Sequence, residues 1–167
     1  AGAGRTGVQT CALGIAAVAL GNARSAIDDL VELAAAKQPQ GSRRTLAERG
    51  SAQTALAMAE ADLRSARAFF YETVAEAWRV AQDTGRVDVR QRALLRLAAT
   101  NATRRSADVT RAMYDLAGGS SVFLSSPLQR RFRDAHVATQ HLMIAPPTYE
   151  LTGRVLMGLP IDAATPL

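Results

Sequence analysis

Between Thr45 and Gly85 the sequence reads TLAERGSAQTALAMAEADLRSARAFFYETVAEAWRVAQDTG and contains no proline. Its apolar residues recur at steps of three and four, the spacing that lines one face of an α-helix. This pattern predicts a single helix of about forty residues, or ~60 Å at 1.5 Å per residue. Leu63 and Phe70 fall on the apolar face, and Arg64 falls on the opposite side. A helix of this length needs partner helices along its whole length, because its apolar stripe must be buried.

Two pairs of polar residues predict where helices begin. Thr45 and Glu48 stand three apart, as do Asp88 and Gln91. This is the spacing of a capping box, in which each side chain bonds to the backbone N–H of the other residue. We therefore expect the long helix to begin at Thr45, and another helix to follow Asp88 as far as Leu116.

Three further segments complete the predicted fold. An apolar pattern at 7–37 stops at a proline and glycine breaker, a second segment runs from Pro127 to about Ile144, and a short one covers 149–157. No segment alternates polar and apolar residues as a strand does. The predicted fold class is therefore all-α: an up-down four-helix bundle with a short additional C-terminal helix, spanning residues 1–160 and followed by a flexible tail at 161–167.

The composition agrees with closely packed helices. Of 167 residues, 48% are hydrophobic but only 5% are aromatic, so the core must consist largely of Ala, Leu and Val. Cys11 is the single cysteine, which excludes a disulfide framework and favours a reducing cytoplasm. The apolar run from Val8 to Leu20 is interrupted and too short for a membrane span, so we expect neither a secretion signal nor a membrane protein. Because Ala1 already lies within a helical pattern, the chain resembles a piece of something longer.

The chain is basic, and nearly all of its cations are arginines. The net charge is +5, and Lys37 is the only lysine. Such a surface raises nucleic acid, anionic cofactors and acidic partner subunits as candidates, although most single arginines on helices simply pair with nearby carboxylates. Nucleic acid ranks last, because the sequence has no helix-turn-helix signature and few aromatic residues for stacking.

The segment Gly118-Gly119-Ser120-Ser121 is the first candidate for a site. Its glycines could simply cap the preceding helix, or the loop could contact a ligand with its backbone N–H groups and hydroxyls. The loop leads to Ser126, an expected N-cap, and to Pro127, which suits a first helical position. Three arginines follow on that helix, and this combination suits a phosphate or pyrophosphate.

Both histidines lie further along the same predicted helix. His136 and His141 are five residues apart, so they would point about 140° away from each other and could not share a metal ion. No metal site is therefore predicted. His141, near the helix end, is the better candidate for a polar group that lines a pocket, while His136 suits the surface equally well. A structural role remains the alternative for each.

At these residues the chain resembles the C-terminal helical domain of the acyl-CoA dehydrogenase superfamily. The resemblance rests on the helix order, on the segment Gly41-Ser42-Arg43-Arg44-Thr45-Leu46-Ala47, and on Tyr-Asp-Leu-Ala-Gly-Gly followed by Ser-Pro-Leu-Gln-Arg-x-Phe-Arg-Asp. It implies a homotetramer in which Gly118, Gly119 and Ser120, with Arg43 or Arg44 at the phosphates, reach a flavin (FMN or FAD) of a neighbouring subunit.

The pattern after Arg133-Asp134 narrows this resemblance. Acyl-CoA dehydrogenases that use a C-terminal base have Tyr-Glu-Gly-Thr there, whereas this chain has His141-Leu142-Met143-Ile144 and no carboxylate. The spacing is closer to that of flavin-dependent monooxygenases of two-component type, in which a histidine lies beside the isoalloxazine. That likeness implies a catalytic role for His141, a small-molecule substrate and a flavin reductase partner.

Other interpretations stay open at this point. The chain could belong to an acyl-CoA dehydrogenase proper, or it could be a non-catalytic helical module that forms a dimer or tetramer. The superfamily's N-terminal helical domain and middle β-domain, which supply much of the flavin pocket, do not occur in this sequence. A domain of this kind would be inactive without them.

Overall fold

The computed structural model describes residues 3–161, with side chains from residue 11 onward. Its five α-helices are α1 (Ala3–Ala36), α2 (Gly50–Thr84), α3 (Val89–Ala117), α4 (Pro127–Thr139) and α5 (Pro147–Leu156). Two 3₁₀ turns, Gly118–Ser121 and Leu142–Ile144, flank α4. The described part contains no strand, so the all-α prediction is confirmed. Of the predicted tail, residues 162–167 lie outside the described residues.

The central element is α3, which packs against α1, α2, α4 and α5. Its inner residues Ala98, Ala99 and Ala102 are wholly buried, as are Ala16, Ala23 and Ala26 on α1. Small side chains at facing positions let helix backbones approach closely, which is how a core poor in aromatic residues is filled.

The long helix α2 has the predicted inner face but a later start. The predicted stripe is buried at Ala52, Ala59, Leu63, Ala66, Phe70 and Ala77. The helix has 35 residues, or about 52 Å at 1.5 Å per residue, because it begins at Gly50 rather than Thr45. Arg49 precedes it and provides no side-chain cap.

Thr45 and Glu48 do not cap α2 as predicted. They form a separate turn before it. The Thr45 N–H and hydroxyl both donate to Glu48 Oε2, at 2.7 and 3.0 Å. These bonds, the backbone one first, lower the pKa of the Glu48 carboxyl. The chain cannot continue into the helix here, because the Leu46 N–H bonds back to the Lys37 carbonyl at 2.8 Å and the Leu46 side chain is buried.

The start of α3 is as predicted. Asp88 Oδ1 accepts from the Gln91 N–H at 2.8 Å, and Gln91 Oε1 accepts from the Asp88 N–H at 3.2 Å. Both halves of the capping box are therefore present.

The helix α4 differs from its prediction at both ends. Pro127 occupies the first turn as expected, but the Ser126 side chain accepts no capping hydrogen bond. The helix ends at Thr139 instead of about Ile144, since the backbone of His141 is extended (φ −67°, ψ 134°).

Ion pairs fasten α1 to its neighbours. Glu60 on α2 accepts from Arg64 at 2.7 Å and from Arg24 of α1 at 2.5 Å, and these hydrogen bonds, that of Arg64 first, lower the pKa of Glu60. Arg131 on α4 donates to Asp29 of α1. Among the described helices, none is both long and apolar enough to cross a membrane.

We predict that Leu63→Ala lowers the free energy of unfolding by about 2–5 kcal/mol, because it removes a buried side chain from the middle of α2. The matched control Arg64→Ala removes a side chain that is 79% exposed and should cost less than about 1 kcal/mol. Denaturant unfolding of both variants measures the difference, and equal losses would show that α2 packs on another face.

Candidate functional site

The Gly118–Ser121 loop begins where α3 ends. Gly118 has φ 56° and ψ −142°, and its N–H donates to the Asp115 carbonyl. Only glycine adopts this backbone region readily, so the predicted capping role of Gly118 is confirmed. Ser121 is buried, and its hydroxyl donates back to the Gly118 carbonyl at 2.6 Å. The loop is therefore a tight turn with its own internal bond.

Lys37 is the cation that contacts this loop. Its ammonium group donates to the Ala117 carbonyl and, at 2.7 Å, to Ser120 Oγ. Neither bond was predicted from the sequence. Two signals could have indicated the contact: Lys37 is the only lysine, and it directly follows the last apolar residue of the predicted first helix.

A groove of about 650 Å³ lies beside the loop, between the end of α1 and the start of α4. Lys37 and Ser120 line it together with Asp29, Glu32 and Ser126. Asp29 is paired with Arg131, which leaves Glu32 and Lys37 as opposite charges on its wall. Hydroxyls, a carboxylate and an ammonium group suit the polyhydroxylated chain of a flavin, whereas a bare phosphate would meet a carboxylate as well as a cation.

The structure does not bring the predicted phosphate partners to this loop. Arg43 and Arg44 are exposed in the turn between α1 and α2, where Ser42 Oγ accepts from the Arg44 N–H at 3.1 Å. Within residues 3–161, no hydrogen bond joins either guanidinium to residues 118–121. Their predicted role therefore depends on a flavin or a subunit that lies outside this chain.

The arginines of α4 are arranged differently from the predicted cluster. Arg131 is committed to Asp29, and its carbonyl accepts from Asn22 Nδ2 at 2.9 Å. Arg130 faces solvent and lies 3.5 Å from Asp134. Arg131 therefore links α4 to α1, whereas Arg130 pairs within α4 and Arg133 is exposed.

The two histidines have opposite tautomers. His136 Nδ1 lies 2.8 Å from the Phe132 carbonyl, so this nitrogen must carry the proton. The ring also packs against Phe132 at a tilt of 38°, with centroids 4.2 Å apart. In contrast, His141 Nδ1 accepts from the Met143 N–H at 3.2 Å, so in the neutral ring the proton is on Nε2. His141 therefore presents an N–H donor to its surroundings.

The position of His141 corrects the sequence prediction. It lies after α4 rather than on it, at the start of the Leu142–Ile144 turn, and its side chain is exposed. Its Nε2 lies 3.7 Å from Sγ of Cys11 on α1. Sequence spacing alone could not show this contact, since the two residues are 130 positions apart.

The described residues contain no group of three histidine, cysteine, aspartate or glutamate side chains that could hold a metal ion. Cys11 is an exposed free thiol. The arrangement can thus supply hydrogen bonds from His141 at one place and from the Gly-Gly loop at another.

This bundle is the C-terminal domain of an acyl-CoA dehydrogenase fold. The family model of acyl-CoA dehydrogenase C-terminal domains matches residues 13–146, and the chain belongs to this family.

Individual relatives place the chain near monooxygenases. It is 42% identical over 146 residues to an indole-3-acetate monooxygenase of Pseudomonas putida, a match that covers 86% of this chain and 37% of that protein. The crystal structure of a 3-HSA hydroxylase from Rhodococcus sp. RHA1 matches 93% of this chain and 39% of its own, with 26% identity and a TM-score of 0.80.

A second solved structure confirms the fold alone. XiaF from Streptomyces sp., solved in complex with FADH2 and glycerol, matches 95% of this chain and 40% of its own with a TM-score of 0.85 and 22% identity. The chain therefore spans well under half the length of these relatives.

We predict that Gly118→Ala lowers the free energy of unfolding by about 1–3 kcal/mol, because alanine is strained at this φ and ψ. A Cβ there would lie 3.9 Å from Lys37 Nζ, an ordinary contact, so the cost comes from the backbone. Gly119→Ala is the control: its Cβ would meet no atom within 4 Å, and we expect a change within about 0.5 kcal/mol. Thermal unfolding measures both, and equal melting temperatures would contradict the assignment.

Proposed function

We propose that this chain is the flavin-contacting and oligomerisation domain of a flavin-dependent monooxygenase, most simply a two-component enzyme supplied with reduced flavin by a separate reductase. The observation that carries the proposal is His141, whose Nε2–H faces, among the described residues, only the weak acceptor Cys11 Sγ, at 3.7 Å, at an exposed position where acyl-CoA dehydrogenases of the Glu-base type have a carboxylate. The 42% identity to an indole-3-acetate monooxygenase supports the same chemistry.

The domain's own residues have separate tasks in this proposal. Gly118, Gly119 and Ser120 approach the flavin tail of a neighbouring subunit, and Arg43 or Arg44 reaches its phosphates. His141 donates its Nε2–H at the reacting edge of the flavin. It does not remove an α-proton as a carboxylate would, but its N–H can stabilise negative charge that develops there. Bound flavin, FMN or FAD, supplies the redox chemistry with molecular oxygen.

The substrate proposed first is a small aromatic acid, by analogy with the Pseudomonas putida relative. The free thiol of Cys11 suits a reducing cytoplasm. The assembly is a homo-oligomer, a dimer or a tetramer, because the flavin site needs residues from two subunits in this arrangement.

Flavin binding is the direct test of the proposed function. Titration of the complete enzyme with reduced and oxidised flavin, followed by fluorescence, should show saturable binding. A complete enzyme without measurable affinity for either flavin would overturn the proposal.

We expect His141→Ala in the complete enzyme to lower the rate of substrate hydroxylation by about 10²–10⁴-fold, or roughly 3–5 kcal/mol of barrier, because a hydrogen-bond or proton-transfer partner is lost. More hydrogen peroxide should be released per turnover, and the melting temperature should fall only slightly, since the side chain is exposed and its main structural contact is the bond from the Met143 N–H.

Two controls make this measurement specific. His136→Ala, on α4, should leave the rate close to that of the wild type, and His141→Gln should restore part of it because an amide N–H can donate. Full coupled activity in His141→Ala would remove His141 from the reaction, and an early melting temperature would instead assign it a structural role.

The isolated chain should self-associate, because several large apolar side chains are exposed on it. Phe123 and Leu124, in the loop before α4, are 64% and 86% exposed, and Trp78 on α2 is 66% exposed. Uncovered apolar surface of this kind favours association. Light scattering should give a mass that rises with concentration above 17.7 kDa, and a constant monomer mass at high concentration would contradict the expectation.

A further inference from the structure

Lys37 lies where three segments meet: the end of α1, the turn that contains Arg43 and Arg44, and the Gly118–Ser121 loop. Its N–H donates to the Leu33 carbonyl at 2.9 Å and so extends the last turn of α1. Its carbonyl accepts from the Leu46 N–H at 2.8 Å, and the Leu46 side chain is buried. The backbone of Lys37 is therefore fixed from both sides, and its side chain starts from a defined position.

The ammonium group of Lys37 closes the C-terminal end of α3. The carbonyls of a last helical turn have no partner within the helix and carry the negative end of the helix dipole. Lys37 satisfies one of them, that of Ala117, and bonds Ser120 Oγ on the far side of the two glycines. A single cation thus bonds the residue before the two glycines and the residue after them.

We propose that Lys37 is a positioning residue that holds Gly118, Gly119 and Ser120 in the backbone geometry needed to contact flavin. This inference rests on the proposed function, since it assigns the flavin contact to the loop. Glycines have the largest conformational freedom of all residues, so a Gly-Gly pair keeps one geometry only if something outside it provides the constraint. In this structure Lys37 supplies a charge-assisted bond on each side of the pair.

The chemistry of Lys37 favours action through the loop rather than a direct bond to a phosphate. Two of its three N–H donors are already used by Ala117 and Ser120. The groove beside it contains Glu32, which would repel a phosphate placed there. The one remaining N–H of Lys37 can therefore only add to a flavin contact that is made mainly by the loop.

The contacts of Lys37 also fix two distant segments of the chain relative to each other. The turn with Arg43 and Arg44 is tied to the Lys37 carbonyl through Leu46, and the glycine loop is tied to its ammonium group. Both segments that are proposed to contact the flavin are therefore held by the same residue, Lys37, although about 75 positions separate them in the chain.

The test uses three variants of the complete enzyme. Lys37→Met keeps an unbranched side chain of similar length and removes the charge, Lys37→Arg keeps the charge, and Arg111→Met is the control. Arg111 is an exposed cation on the same end of α3, where it pairs with Asp115 at 3.7 Å and does not bond the loop. The readouts are amide hydrogen exchange at residues 118–121, the dissociation constant of flavin by fluorescence titration, and kcat at saturating flavin.

For Lys37→Met we expect about tenfold faster exchange in the loop and about tenfold weaker flavin binding, the loss that one hydrogen bond to a charged group typically causes. At saturating flavin, kcat should stay within about twofold of the wild type, because the loop does not touch the reacting atoms. Lys37→Arg should recover part of the affinity, and Arg111→Met should match the wild type in all three measurements.

Three results would overturn the inference. The first is wild-type flavin affinity in Lys37→Met. The second is faster exchange throughout all helices with a lower melting temperature, which would make Lys37 a general brace of the bundle. The third is a wild-type enzyme that binds no flavin. This result would overturn the proposed function and, with it, the flavin part of the inference about Lys37. The exchange measurement would still decide whether Lys37 holds the loop.

Discussion

The burial of α3 among the other four helices is the constraint on which the rest of the structure depends. Because α3 contacts α1, α2, α4 and α5, every other helix takes its position from it. Its buried face includes hydroxyl groups as well as alanines, and Thr103 and Thr110 satisfy their hydroxyls by donating to the carbonyls of Ala99 and Ser106, at 2.9 and 2.8 Å. Such bonds stay within the helix, so these two hydroxyls are buried without partners on the neighbouring helices. The Gly118–Ser121 loop follows directly after the C-terminal end of the same helix.

Local patterns in the sequence predicted the helices well, because helix faces and caps depend on residues three or four apart. The buried positions Leu63 and Phe70 on α2 and the capping box of Asp88 and Gln91 are of this kind. Thr45 and Glu48 show what such local patterns cannot predict. Their mutual bonds exist, yet the contact of the Leu46 N–H with Lys37, set by tertiary structure, turns the chain before α2 can begin.

The candidate site was harder to predict, because its contacts join residues that are far apart in the chain. The bond from Lys37 to Ser120 spans 83 positions, and that from Arg131 to Asp29 spans 102. The sequence indicated the loop and both histidines but could not show which cation meets the loop, nor that α4 ends at Thr139 and leaves His141 in extended backbone after it. The different tautomers of His136 and His141 likewise follow from single backbone contacts, a carbonyl in one case and an N–H in the other. Arg131, one of the three arginines predicted to suit an anion, instead pairs with the carboxylate of Asp29 on α1.

The alanine-rich core has a further consequence that concerns conformational entropy. Burying an alanine costs essentially no rotamer entropy, whereas an ordered leucine or methionine loses about 0.5–2 kcal/mol in this way. A core in which Ala16, Ala23, Ala98, Ala99 and Ala102 are fully buried therefore gains little apolar area per residue but loses little freedom on folding. Its weak point is steric. Where helix backbones are held apart by single methyl groups, each added carbon must displace a whole helix, so selection at these positions should act against larger side chains more strongly than against smaller ones.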